Sequence, residues 1–227
     1  MQPKYFLALV GLAVLSSVEA CGQMFEQFAG NQAIENVVRQ STMPRLRNIQ
    51  RPSMPITSSM TYSPNQQSLK LAESSYLDRL RKHDAQAADV LSQQMRAHDF
   101  GRVFSGIVGP FGLRRGDAVD SVTAYSLLGW MIATGSTDPT REQVRAMRER
   151  IAAGLAANPN FADPSTRAAL GEELVISFVT LHAGWQSARR EGKVQQYSDG
   201  VAAMFKKQTG NDLRQLVLTD RGLEKRG

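Results

Sequence analysis

Apolar residues recur at spacings of three and four along most of the chain after Ser68, which is the pattern of amphipathic helices. The first such stripe consists of Leu69, Ala72, Tyr76 and Leu80. Two later stretches, 118–133 and 170–185, are apolar on nearly every face and therefore predict buried helices. Outside 213–218, no segment alternates apolar and polar residues as a strand does. The sequence predicts an all-α fold, an irregular multi-helix bundle over residues 68–227 with two central near-apolar helices.

Capping residues predict where several helices begin and end. Asp117 precedes the first central helix, and Asp120 is placed to complete a capping box with it. Asp138-Pro139 and Asp163-Pro164 each combine a capping oxygen with a proline suited to a first helical turn. Gly135 is expected to end the first central helix in a left-handed conformation.

A stripe of small residues runs along the first central helix. Its members are spaced by four, three and four positions, so they lie on one face. They are Val122, Ser126, Gly129 and Ala133. This face is expected to let a neighbouring helix approach closely.

The N-terminus has the three regions of a secretory signal peptide over residues 1–20. Lys4 precedes an apolar run at 5–15, and Val18 and Ala20 supply the small residues for cleavage before Cys21. The run is too short to span a bilayer, and no later window is longer and as apolar. The sequence therefore predicts a soluble periplasmic or secreted bacterial protein whose mature chain has no transmembrane span.

Cys21 lies at the predicted cleavage junction, which leaves two alternatives open. The first is simple cleavage, and the second is lipidation of Cys21, which would add a lipid anchor. Glu19 is unusual in a lipoprotein signal, so the sequence favours simple cleavage.

Residues 21–67 are predicted to form an N-terminal segment and a flexible linker. A short amphipathic helix is the hypothesis for 21–38, interrupted by Gly30. The stretch 41–67 contains four prolines and many Ser, Thr and Gln residues, which favours an extended, solvated chain. The alternative is a partner-binding strand that uses the arginines at 45, 47 and 51.

The composition limits the chemistry that the chain can carry. An apolar share of 42% is enough for a core, so bulk disorder is excluded. The single cysteine excludes an internal disulfide and every multi-cysteine metal site. The three histidines, His83, His98 and His182, are not spaced as a helix-borne zinc motif. We therefore expect no metal and no cofactor.

No catalytic motif is present in the sequence. It lacks a G-x-S-x-G elbow and a phosphate-binding glycine loop, and Glu172 and Glu173 are adjacent, so they point in different directions on a helix. His182 precedes Trp185 by three residues on the second central helix. Two alternatives are open for it: a hydrogen-bonded core histidine or a catalytic one. No catalytic residue is assigned.

The basic excess offers one candidate binding surface. The net charge is +6, and Arg141, Arg145 and Arg148 share one face of a predicted helix. Such a face binds an anionic surface or is simply solvated. Export argues against a nucleic acid as the partner, so the candidate ligands are anionic components of the cell envelope.

Several short motifs resemble a family of secreted bacterial helical proteins of unknown function. The stretches that carry the resemblance are 60–64, 112–113 and 116–120, together with Tyr125 and Trp130 and, near the end, Leu216, Leu218, Thr219 and Gly222. The resemblance covers 60–223 and implies a secreted helical fold. Members of that family often carry Trp or Tyr where this chain has Ser126, and the resemblance implies no catalytic residue.

Two functional hypotheses follow. The first is an exported, non-enzymatic helical module that binds an unknown protein or an anionic envelope component. The second is a hydrolase of cell-envelope polymers that uses His182 with Glu173 or Asp120 in a cleft between the central helices.

Overall fold

The structure, a computed structural model, describes residues 60–226, so the predicted signal peptide, Cys21 and most of the predicted linker lie outside it. The described residues form seven α-helices and one two-stranded sheet. The helices are α1 (Gln66–Arg81), α2 (Ala85–Ala97), α3 (Phe100–Val108), α4 (Ala118–Thr134), α5 (Arg141–Ala156), α6 (Pro164–Arg190) and α7 (Val194–Thr209). The strands are β1 (Leu216–Thr219) and β2 (Gly222–Lys225). The predicted all-α multi-helix bundle is confirmed.

Helices α4 and α6 form the centre of the bundle, as their apolar character predicts. Every residue of α4 except Thr134 is buried, and so is most of the middle of α6. The two helices pack against each other, with α1 and α3 on α6 and with α5 and α7 on α4. The hydrophobic core is continuous across these contacts.

The small-residue stripe of α4 has the predicted role. Phe205 of α7 lies directly over Gly129, where a Cβ atom would overlap its ring. The Phe205 ring also stacks on Tyr125, with 5.1 Å between the ring centroids. A side chain at residue 129 would therefore push α7 away from α4.

The folded domain begins earlier than residue 68. Met60 and Tyr62 are buried, and their backbone pairs with the segment before α4. The Tyr62 amide donates to the Gly116 carbonyl at 2.9 Å, and the Ala118 amide donates to the Met60 carbonyl at 3.1 Å. Pro64 precedes α1 rather than belonging to a spacer. Part of the stretch predicted as a linker is therefore an integral edge of the bundle.

The helix ends match some of the predicted caps and correct others. Asp163 caps α6, and Gly135 ends α4 in the left-handed conformation, as predicted. The prediction for Asp138 is wrong: α5 begins after Thr140, which forms a capping box with Gln143.

The C-terminal residues form a hairpin that the sequence pattern only partly indicated. After a 3-10 turn at Leu213–Gln215, β1 pairs antiparallel with β2, with Leu218 opposite Leu223. The Trp130 indole nitrogen of α4 donates to the Leu216 carbonyl at 3.3 Å. The hairpin therefore closes over one end of α4 and packs against α5.

Among the helices between residues 60 and 226, none has both the length and the apolar character that a bilayer crossing requires.

Candidate functional site

The three arginines of the predicted stripe on α5 differ in exposure and in their partners. Arg141 and Arg145 are exposed, and the Arg141 Nε donates to the Pro110 carbonyl at 3.0 Å. Arg148 is half-buried and bound to two carboxylates, Asp117 at 2.9 Å and Asp120 at 2.5 Å. The third member of the stripe therefore joins α5 to the start of α4.

Asp120 does not complete the capping box that its position suggested. Its carboxylate accepts from the Arg114 amide at 3.0 Å and from Arg148, while Asp117 alone caps α4 through the Val119 amide. Burial raises the pKa of Asp120, and the neighbouring Asp117 carboxylate adds to this effect, whereas Arg148 opposes it. Asp120 is thus engaged in joining two helices.

The adjacent glutamates of α6 are each neutralised by an arginine from a different element. Glu172 is fully buried, and Arg115 donates to it from Nε at 3.1 Å and from Nη2 at 2.6 Å. Glu173 pairs with Arg79 of α1. Burial, followed by the charge of Glu172, raises the pKa of the nearby Tyr62 hydroxyl. These pairs join α1 and the segment before α4 to α6, and no sequence pattern predicted them.

His182 lies on α6 among aromatic rings. Its imidazole is parallel to Phe178, with centroids 6.3 Å apart, and perpendicular to Trp185, with centroids 6.2 Å apart. Its Nε2 is 3.3 Å from the Gln186 amide nitrogen. Its Nδ1 is buried and has no hydrogen-bond partner among the described residues. Burial lowers the pKa of His182 to about 4, with a contribution from the positive charge of Arg189.

Among the described residues, His182 does not form a hydrogen-bonded pair with Glu173 or Asp120, the two carboxylates predicted as its possible partners. The imidazole of His182 bonds to Gln186 rather than to a carboxylate, while Glu173 and Asp120 are bound by arginines. Within residues 60–226, no group of three or more His, Cys, Asp or Glu side chains is placed to hold a metal ion.

An apolar cavity of about 100 Å³ lies beside His182, and we call it the His182 cavity. Four helices surround it: α3 and α5 contribute Ile107 and Val144, α4 contributes Leu127, Leu128 and Met131, and α6 contributes Phe178, His182 and Trp185. Nearly all of its wall is apolar. A concave apolar site with few polar groups and a histidine of perturbed pKa has the typical composition of a ligand site.

The rim of the His182 cavity is formed by residues that are only partly covered. Ile107, Phe111 and Trp185 are half-buried, and Asp138 is exposed. Arg189 lies over the Trp185 ring, 5.2 Å from its centroid. A ligand would thus meet aromatic and aliphatic surface at the entrance and charge only at the edge.

A second depression lies between the first halves of α1 and α6. It has a volume of about 490 Å³ and is lined by Ser63, Asn65, Ser68 and Ser165, with Glu173 also reaching it. Leu71 stands at its edge with 62% of its surface exposed. Its wall combines hydroxyl and amide groups with apolar side chains, and its carboxylate is paired, so the more uniformly apolar His182 cavity is the better defined site.

The neutral histidine predicts a dependence of stability on pH. The native protein binds fewer protons than the unfolded chain between about pH 6.5 and 4, so acidification favours unfolding in this window. Relative to pH 7, we expect His182 to lower the free energy of unfolding by about 2 kcal/mol at pH 5. Denaturant unfolding of the native protein and of His182→Phe at both pH values measures the difference. Equal losses of stability in the two proteins would contradict the prediction.

Comparison of the chain with models of known protein families, with curated proteins and with solved structures finds no match.

Sequence reasoning identified one wall residue of the cavity through its chemistry. His182 stood out because it lies near Trp185 on an otherwise apolar helix. The partners that complete the wall come from separate helices and carry ordinary core residues, such as Leu127 and Val144. The space exists because α3, α4, α5 and α6 come together around it, which a single sequence does not reveal.

Proposed function

We propose that this chain is an exported, non-catalytic helical module that binds a protein partner by taking one of its apolar side chains into the His182 cavity. The observation that carries this proposal is the cavity itself. Its volume of about 100 Å³ is smaller than the engineered apolar cavity of about 150 Å³ that holds benzene, so it suits one branched side chain or the edge of an aromatic ring entering from the rim. A buried anchor side chain at the centre of an interface is a usual source of binding energy.

The distribution of charge supports binding rather than catalysis. Glu172, Glu173 and Asp120 each accept from an arginine, so these carboxylates are committed to holding helices together. The exposed Arg141 bonds to Pro110, next to Phe111 of the cavity rim. An acidic group beside the apolar anchor of the partner would therefore meet a positive charge.

A pair of matched variants tests the cavity with benzene as the probe. Ala124 lines the His182 cavity, and Ala124→Leu would fill it; Ala169→Leu adds the same atoms at an exposed position of α6 beside the second depression. We expect saturable benzene binding to the native protein, followed by methyl NMR, and binding at least about tenfold weaker in Ala124→Leu. Ala169→Leu should bind as the native protein does.

The same variants connect the cavity to a natural partner. Native protein and both variants are immobilised, and proteins from cell-envelope extracts are passed over them at physiological salt. The proposal expects a protein that the native chain and Ala169→Leu retain and that Ala124→Leu does not. Equal benzene binding by native protein and Ala124→Leu would refute the role of the cavity, as would a partner retained equally by all three.

A further inference from the structure

The second depression, between the first halves of α1 and α6, presents apolar surface to solvent. Leu71, Pro164 and Ala169 line it, and all three are exposed. Leu71 is 62% exposed, more than any other large hydrophobic residue of the described part of the chain. Free energy is gained when another apolar group covers such surface. The depression, of about 490 Å³, has room for two aromatic rings, because an engineered cavity of about 150 Å³ holds one benzene molecule.

The wall of the second depression carries little net charge. Ser63, Gln67 and Ser75 contribute hydroxyl and amide groups, and the Glu173 carboxylate is paired with Arg79. A charge that is covered without a partner loses its hydration at a cost in free energy. The wall therefore favours an occupant with apolar side chains and few charges.

The chain enters the described fold at the wall of this depression. Tyr62 and Ser63 line it, and residues 21–59 of the predicted mature chain, which precede them, lie outside the described residues. Phe28 is 32 residues before Met60, and a connection of that length spans up to about 100 Å. The preceding segment is therefore long enough to return to any part of the depression.

Within residues 21–59, the stretch 24–28 matches the depression best. Phe25 and Phe28 are the only aromatic residues of the segment, and aromatic side chains bury large apolar areas. Glu26 is the only charged side chain of the stretch, whereas the later part of the segment contains four arginines. Two rings with one charge suit a nearly uncharged wall better than the arginines do.

We propose that residues 24–28 bind in the second depression of the same chain, with the Phe25 and Phe28 rings against Leu71 and Ala169. Covalent attachment supplies an effective concentration of about 1 mM, which fills a site with a Kd of about 0.1 mM to about 90%. Weak apolar contact is thus sufficient within one chain. The contact concerns a different surface from the His182 cavity, so it goes beyond the proposed function and is tested separately.

Cys21, the only cysteine of the chain, allows this contact to be measured with a nitroxide spin label. It is four residues before Phe25, so the label stays close to whatever surface binds that ring. In the chain from Cys21 onward, we expect the label to abolish the methyl NMR signals of Leu71 and Ala169. The exposed Val194 should keep its signals, because it follows the far end of α6, a helix of 27 residues that is about 40 Å long.

Two matched pairs of serine substitutions identify the residues responsible. Phe25→Ser with Phe28→Ser removes both rings and should restore the lost signals. Ile34→Ser with Val38→Ser removes two apolar side chains outside the proposed contact and should leave the loss unchanged. All four positions precede residue 60 and so lie outside the described bundle.

A mixture of two chains shows whether the contact lies within one molecule. Spin-labelled chain without isotopes is mixed with isotopically labelled chain without nitroxide, and we expect the Leu71 and Ala169 signals to be retained. Their loss in the mixture would assign the depression to a second copy and overturn the proposal. Within the spin-labelled chain, three results would also overturn it: equal effects on Val194, a loss that survives removal of both rings, or a loss that the control pair abolishes.

Discussion

Replacing Arg115 by alanine is expected to lower the free energy of unfolding by about 3–5 kcal/mol. The substitution removes three donor contacts to Glu172, whose side chain is fully buried, and takes away the positive charge that balances it. Removing one member of a buried ion pair costs far more than removing an exposed pair, because the remaining charge is still desolvated. The change is measured by denaturant unfolding.

An exposed ion pair and a compensating substitution serve as controls. Arg221→Ala breaks an exposed pair with Glu224 and should change stability by no more than about 1 kcal/mol. Adding Glu172→Met to Arg115→Ala removes the stranded charge and should restore much of the lost stability. If Arg115→Ala costs no more than Arg221→Ala, Glu172 is not held by Arg115 and its assignment to a structural role fails.

Gly129→Ala is expected to destabilise the protein by about 3 kcal/mol, although alanine is the better helix former. A Cβ atom at residue 129 would overlap the ring of Phe205, which is 0% exposed and stacked on Tyr125. Because the ring is fully buried and stacked on Tyr125, making room for the new Cβ atom means disturbing that stack or moving α7 away from α4. Thermal and denaturant unfolding give the size of the effect.

Gly106→Ala provides a control of opposite sign. Gly106 lies within α3, and nothing lies within 4 Å of the position that its Cβ would occupy. The substitution should therefore stabilise the protein by roughly 0.5–1 kcal/mol. If both alanine variants raise stability, the close approach of α7 to α4 is wrong.

The buried carboxylates and the small-residue face of α4 both have structural roles, so the His182 cavity remains the candidate site. The buried carboxylates serve to fasten α1 and the segment before α4 to α6, and the small-residue face of α4 is filled by Phe205. The opposite side of α4, with Leu127, Leu128 and Met131, borders a space that no side chain fills. The chemistry available there is mainly apolar contact.

Local pattern was sufficient to predict most of the helices. The apolar faces of α4 and α6 and the caps at Asp163 and Gly135 depend on residues close together in sequence. Prediction was less successful where two local signals competed. Asp138-Pro139 is typical of a helix start. The N-cap of α5 lies two residues later, because the side chains of Thr140 and Gln143 each accept a hydrogen bond from the other's backbone amide.

Contacts between distant residues could not be predicted in this way. The sequence pattern predicts Asp120 in a capping box, whereas its carboxylate accepts from Arg148, 28 residues later. Tyr62 followed a run of prolines and polar residues, yet its ring lies over Gly171 of α6. Which arginine meets which carboxylate depends on how the helices cross, and a single sequence does not contain that information.

The central claim is that the His182 cavity is an apolar space able to hold a ligand, and a crystal of the protein pressurised with xenon tests it most directly. Xenon occupies dry apolar cavities and leaves polar, hydrated depressions empty. The account predicts a xenon atom enclosed by Leu127, Met131 and Phe178. A filled cavity without xenon, or xenon bound only in the depression between α1 and α6, would contradict it.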